Sequence, residues 1–507
     1  MLKPLRFRLS DAYAALLLLT LLLGRAVQAA DATTAGSVET FRIGLTAAPT
    51  TLDPRLASDA TSVRIARLLY QSPVTLDGSG RPQPSLTEWS QLAPLHYRFR
   101  LRGTPTFSDG TPLTPTDVVA TYQNILAPGS RSPHQGSLAH IERIAVTGAQ
   151  EFDVWLKRVD PMLPARLGVG VLPAENPDTL LGSGPFRLLA WPTDSRLVLE
   201  RRRDGARFEF LTLKDGTVRI LKLARGELDL VPDGVAFELI DWIGRQSEVR
   251  VIAAGGTTFS YLGVNFADPL LADRRVREAI ALAIDREAVV KYLFRKRARP
   301  AVSLLPPDHW SSAPELNPYP FNPERSRALL DAVRAECGIV GPIRLSYKTS
   351  SNPFRLRLAT ILKSQLDAVG IVLDIQSYDW GTFFADVKSG RFEVYSLSWV
   401  GLKLPEIYRY VFHSESLPPS GANRGRYKNP EVDRLIDRAE QRSTLADQVP
   451  LWQAVQRLVH HDLAYIPLWY EDRVAAIRTD MDGFVVPPDG NWDSLGEVSR
   501  RQVTGAR

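Results

Sequence analysis

The sequence predicts a mixed α/β (α+β) protein made of more than one domain. Three observations lead there. The chain has 507 residues, more than one hydrophobic core usually supports. Apolar residues recur at two-residue spacing in some segments and at three- and four-residue spacing in others, in irregular alternation. No short-period repeat is visible, which sets solenoids and propellers aside. At 44% hydrophobic and 23% charged residues, the composition is that of a compactly folding chain.

The elements follow in order. Phe41, Ile43 and Leu45 alternate as a strand, and Pro49-Thr50-Thr51-Leu52-Asp53-Pro54 breaks it into a loop. Tyr97, Phe99 and Leu101 alternate again before the turn residues Ser108-Asp109-Gly110. Thr114 then caps a helix, with Pro115 at its first position, Asp117 in the capping-box place, and Val118, Tyr122 and Ile125 facing inward. Asp273 caps a helix whose buried face is Val276, Ala279, Ile280, Ala283 and Ile284, and Asn322-Pro323 begins another. Near the end, Val432, Leu435, Ile436 and Ala439 form one stripe, and Leu451, Val455, Leu458 and Val459 a second. Arg201-Arg202-Arg203 reads as a solvated loop, and Cys337 as a residue that packs in or caps a helix.

The amino terminus has a different character. Lys3, Arg6 and Arg8 precede an apolar run from Ala12 to Leu23, and Val27-Gln28-Ala29 places small residues at a cleavage spacing. This predicts a signal peptide over residues 1–29, its apolar run being shorter than the roughly 20 residues needed to span a bilayer. No cysteine stands just after the cleavage site, so no lipid anchor is expected, and the short apolar run argues against a membrane anchor. The lone Cys337 forbids an internal disulfide. The leader carries +3 of the formal +6, and the remaining Lys and Arg are spread rather than clustered, which argues against nucleic acid as a partner.

Seven segments, in order, carry a resemblance. They are Thr51-Leu52-Asp53-Pro54; Tyr97 through Phe107-Ser108-Asp109-Gly110-Thr111-Pro112-Leu113-Thr114 to Asp117-Val118; Gly182-Ser183-Gly184-Pro185-Phe186; and Gly226-Glu227-Leu228-Asp229-Leu230. Tyr261-Leu262-Gly263-Val264-Asn265, Arg275-Val276-Arg277-Glu278-Ala279-Ile280 and Tyr427-Lys428-Asn429-Pro430-Glu431-Val432-Asp433 complete the set. Each alone is a turn or cap signal; together, in this order and at this spacing, they resemble the extracellular solute-binding proteins of family 5, the dipeptide, oligopeptide and nickel binders of ABC transporters.

The resemblance implies a periplasmic binding protein-like two-lobed fold of the cluster C type, with an extra inserted domain and a ligand cleft between the lobes. The implied divisions are a discontinuous lobe I of residues 30–72, 183–264 and 480–507, an inserted domain of residues 73–182, and a lobe II of residues 265–479. Crossings fall near Gly182, Gly184 and Asn265, which become hinge candidates. It further implies a periplasmic monomer, without cofactor, metal site or catalytic residue. Such a protein closes on a short peptide or other small molecule and delivers it to an inner-membrane ABC permease with cytoplasmic ATPase subunits, in keeping with the absence here of a G-x-x-x-x-G-K-S/T loop.

Peptide-binding relatives carry Trp, two residues, then an acidic residue that pairs with the peptide's α-ammonium group; the corresponding segment here is Trp399-Val400-Gly401-Leu402. Leucine cannot pair with an ammonium. Lys403 follows as an alternative receiver of a carboxylate or phosphate, beside its plainer reading as a solvated surface lysine. Trp399 and Trp380 match family aromatics near the ligand, and Phe259 and Tyr261 sit on an expected crossing strand, where one face looks into the cleft. Thr50 is a further candidate ligand contact; His134 falls where an oligopeptide relative carries a cleft tyrosine, beside its plainer reading as a solvated loop histidine; Asn423 and Arg424 resemble a polar family loop, with Arg424 a candidate carboxylate partner through its forked guanidinium.

Three rival readings remain at this level. A secreted hydrolase finds no H-E-x-x-H, no G-x-S-x-G and no cysteine pair. A non-peptide ligand, such as a nickel chelate, opine, sugar derivative or glutathione-like conjugate, keeps the binding mechanism and suits Leu402 better. A sensor or chaperone keeps the fold and drops the transporter.

Overall fold

The computed structural model describes residues 38–501; the expected leader lies outside them. Its spine is an 11-stranded sheet organised by two long antiparallel strands, Val249–Val264 and Ile466–Arg478. At one end of this ribbon, Phe259 to Val264 pair with Val394–Trp399, beyond which lie Ile343–Ser350 and Ile371–Tyr378. At the other end, Ile477 and Ala476 pair with Leu230–Val231, followed by Thr40–Leu45, Arg207–Thr212, Arg196–Arg201 and Phe186–Thr193. The two halves form separate lobes because each has its own core. Phe41, Ile43, Phe208 and Phe210 fill the first, and Leu262, Val276, Ile280 and Leu345 the second.

Midway along the ribbon the ladder breaks. Ala254 pairs with Arg473 and Thr258 with Glu471, so that Gly255, Gly256 and Thr257 oppose Asp472 alone. A side chain on Gly256 would collide with the Glu471 carbonyl, so only glycine permits this approach of the backbones. An unpaired stretch of ribbon between two cores lacks the ladder bonds that stiffen the rest of the crossing.

A third unit is a four-stranded antiparallel sheet, Thr87–Ala93, His96–Leu101, Glu151–Leu156 and Ile141–Gly148. The helix Pro115–Leu126 covers it and buries Val118, Tyr122 and Ile125 as its spacing predicts. The Asp117 carboxylate accepts from the Thr114 amide at 2.7 Å and from its hydroxyl at 2.9 Å. Asp273 caps Arg274–Ala283, and Asn322 caps Pro323–Cys337, as expected.

Three expectations are corrected. In the helix Leu445–His461 the most deeply buried residues are Gln448, Trp452, Val455, Gln456 and Val459, while Leu451 and Leu458 are half-buried; Gln456 is drawn inward because its amide donates to the Ser311 carbonyl at 2.7 Å. Arg201 is not solvated: it is buried, donates to the Val498 carbonyl at 2.5 Å and pairs with Asp204 at 2.7 Å, tying the carboxy-terminal segment to the first lobe. Cys337 is exposed at the end of its helix, where Gly338 in the left-handed conformation forms the cap.

Candidate functional site

Among the described residues, three cavities open between the second lobe and the other units. One of about 530 Å³ is walled by Pro54 and Tyr70 of the first lobe, His134 and Arg166 of the four-stranded unit, and Lys403 and Leu404 of the second lobe. Beside it, one of about 400 Å³ is lined by Thr257 of the bulge, His309, Leu402, Lys403 and Asp489. The largest, about 910 Å³, opens between Val235 and Glu238 on one side and Leu293, Phe354, Arg355, Trp380 and Glu471 on the other. All three are thus lined by more than one unit, and the second and third reach the crossing ribbon.

The lobes touch through charge. Lys403 Nζ lies 3.1 Å from the Asp489 carboxylate, which also accepts from the Asn491 amide at 3.0 Å. Burial raises the pKa of Asp489, but Lys403 and the Asn491 amide more than offset it and leave the group below its ordinary value. Arg166 joins Asp160, at 2.6 Å, to Glu406 of the second lobe, at 2.7 Å. Burial drives the Glu406 carboxyl upward against the pull of Arg166. Lys403 is therefore an interlobe ion-pair partner, not a solvated lysine.

Leu402 lines the 400 Å³ cavity and packs against the aromatic core of the second lobe, presenting no acceptor. Trp399, half-buried, lies under the Arg424 guanidinium with 5.2 Å between Cζ and the ring centroid, and its indole nitrogen is buried without a partner among the described residues. Arg424 also reaches Phe384, at 5.4 Å, and donates to the Tyr261 hydroxyl at 3.2 Å. Trp380 starts a helix at the wall of the largest cavity, stacked on Phe384 and 58% exposed.

The other expected positions lie elsewhere. Phe259 and Tyr261 are fully buried in the aromatic core, where Tyr261 stacks on Tyr465 at 3.9 Å. The alternation put the wrong face toward the cleft, since both rings find aromatic partners inside. Asn423 is buried and serves the backbone, donating to the His413 and Tyr427 carbonyls and accepting from the Tyr427 amide at 2.9 Å. Thr50 donates to Asp59 at 2.6 Å, within a loop of the first lobe. His134 does face the 530 Å³ cavity, and burial lowers its pKa.

Of the hinge candidates, Gly182 and Gly184 press against the backbone at Leu69, with the Gly184 amide donating to its carbonyl at 2.8 Å. Asn265 is clamped by bonds from its side chain to the Gly390 and Phe392 carbonyls. The crossing ribbon is itself irregular at two other places, Gly255–Thr257 and the step from Ser260 to Tyr261. Sequence reasoning also missed a polar row whose two ends, Arg355 and Glu471, line the largest cavity. Glu471 accepts from Ser260 at 3.0 Å, Ser260 meets Ser398 at 2.7 Å, and Arg355 donates to Ser398 at 3.2 Å. The Gly-Gly pair was a readable bulge signal; nothing local marks the row, whose members come from four separate segments.

Two lobes on a bulged ribbon, with cavities lined from both sides, define the class of protein that encloses a solute. The chain belongs to the bacterial extracellular solute-binding proteins of family 5, whose middle region matches residues 81–414. It is 26% identical over 464 residues, 82% of this chain and 87% of the relative, to a protein of Pseudomonas aeruginosa (strain UCBPP-PA14) named as a probable di/tripeptide-binding protein. It is 23% identical, over 91% of this chain and 92% of the relative, to heme-binding protein A of Haemophilus influenzae (strain ATCC 51907 / DSM 11121 / KW20 / Rd). Among solved structures, the ABC transporter substrate-binding protein CtaP of Listeria monocytogenes superposes with a TM-score of 0.81 at 21% identity, covering 92% of this chain and all of that one, and so shares the fold. Among the described residues no helix is long and apolar enough to cross a membrane.

Proposed function

We propose that the protein captures a short peptide or peptide-like solute between its lobes in the periplasm and delivers it to an inner-membrane ABC permease. The observation that carries this reading is the Lys403–Asp489 contact across the cleft beside cavities lined from both lobes, on a ribbon whose ladder is interrupted at Gly255–Thr257. A ligand touching both walls binds the closed form better and shifts the population toward it. The proposed hinge is the Gly255–Thr257 bulge with Asp472, which moves the proposed lobe boundaries inward from residues 264 and 479. The relatives are named as binding proteins for peptides and for heme, which supports a role in binding rather than catalysis.

A second reading, a non-peptide ligand in the same cleft, is favoured by one observation: Leu402 offers no acceptor for an ammonium, and the neighbouring cation is already paired with Asp489. Thermal unfolding of the mature protein against peptides, amino-acid conjugates and metal chelates separates the two. A ligand at a hundred times its Kd adds about 2.7 kcal/mol and raises the midpoint by several degrees. A rise with short peptides supports the first reading; a rise with another class alone supports the second.

A further inference from the structure

We propose that Arg355 and Glu471 hold an α-amino-acid head group of the ligand, its carboxylate on the guanidinium and its ammonium on the glutamate. The proposal deepens the reading of the protein as a binder of peptide-like solutes and rests on it.

Both residues line the 910 Å³ cavity from different elements. Arg355 stands in the first turn of the helix Pro353–Asp367, and Glu471 lies on the second crossing strand where the bulge begins. They are held near one another but not joined: Arg355 Nη2 is 3.9 Å from Glu471 Oε1, beyond hydrogen-bond range. Ser398 and Ser260 bridge them, and each serine takes only one bond from or to the charged pair. A guanidinium has five N–H donors and a carboxylate about four acceptor sites, so most of this capacity faces the cavity unused.

Opposite charges this close complement a head that carries its own two charges on one carbon. An ordinary dipeptide separates its termini by about 6 to 7 Å along the chain and cannot present both to this pair at once. One neighbour agrees with the assignment. The exposed indole of Trp380 borders the same cavity and offers a planar apolar surface to the remainder of the ligand. At the other end of the cleft, Leu402 presents no charge, so recognition of an ammonium has to fall elsewhere.

Two isomers of one composition differ in this property. γ-Glutamylglycine keeps the ammonium and a carboxylate on one carbon, whereas α-glutamylglycine does not. Titration calorimetry on the mature protein is expected to show the γ isomer bound at least about tenfold more tightly, the scale of one charged hydrogen bond. Arg355→Gln and Glu471→Gln should each weaken the γ isomer by about tenfold or more and the α isomer by less than about threefold, with unliganded unfolding midpoints confirming intact folding. Equal or tighter binding of the α isomer, or γ affinity untouched by both substitutions, overturns the assignment and leaves the peptide-binding reading standing. Binding of neither isomer overturns the assignment, and the peptide-binding reading is then decided by the wider panel of the thermal assay.

Discussion

Lys403 and Asp489 form an ion pair 3.1 Å long that joins a loop of the second lobe to the carboxy-terminal segment packed on the first. Both side chains are about one-third exposed, so the pair is worth about 1 kcal/mol rather than several. Lys403→Met or Asp489→Asn should therefore shift the open–closed ratio toward open by about fivefold. Small-angle scattering of the unliganded protein is expected to report a larger radius of gyration for either variant, and for the double variant no further increase.

The ribbon bulge gives a steric prediction. Gly256 faces the Glu471 carbonyl, whereas Gly78 has open space and an unstrained backbone. Gly256→Val should cost about 2 kcal/mol or more because backbone, not a side chain, must yield. Gly78→Ala should leave the unfolding midpoint nearly unchanged, which makes it the control in the same assay.

Asn423 separates a structural role from a binding one. Its amide satisfies two carbonyls and one backbone N–H inside the second lobe. Asn423→Ala strands these groups and should lower stability by about 2 to 3 kcal/mol in denaturant unfolding. The ligand affinity of the folded fraction should not change.

Acid sensitivity follows from Asp160. Burial pushes this carboxyl up, but His140 at 2.8 Å and Arg166 at 2.6 Å outweigh burial and hold it down to about 2. A carboxyl depressed on folding stabilises the protein above its unfolded pKa, and that stabilisation disappears as pH falls through the folded value. The wild type should thus lose about 2 kcal/mol between roughly pH 5 and pH 2. Asp160→Asn should show a shallower decline over the same range in urea unfolding at fixed pH steps.

Local signals made much of the fold readable. The Thr114–Asp117 box, the Asp273 and Asn322 caps and the period of Phe41, Ile43 and Leu45 each depend on neighbours a few residues away, and each forms as the spacing predicts. What failed depends on distant partners. Phe259 and Tyr261 turn inward because Tyr465 and Tyr470 are there to receive them, which alternation along one strand cannot reveal. Lys403 finds Asp489, 86 residues on, and Arg201 finds carbonyls nearly 300 residues away. The polar row of Arg355, Ser398, Ser260 and Glu471 exists only after four segments meet at the ribbon.

The central claim is that ligand binding closes the two lobes about the Gly255–Thr257 bulge. It is tested most directly by spin labels at Val218→Cys in the first lobe and Val340→Cys in the second, both exposed, with Cys337→Ser removing the native thiol. Pulsed electron–electron distance measurement with a ligand identified by the thermal assay should show a shift to a shorter, narrower distribution, and Gly256→Val should suppress that shift. A distribution unchanged at saturating ligand would contradict lobe closure as the mechanism.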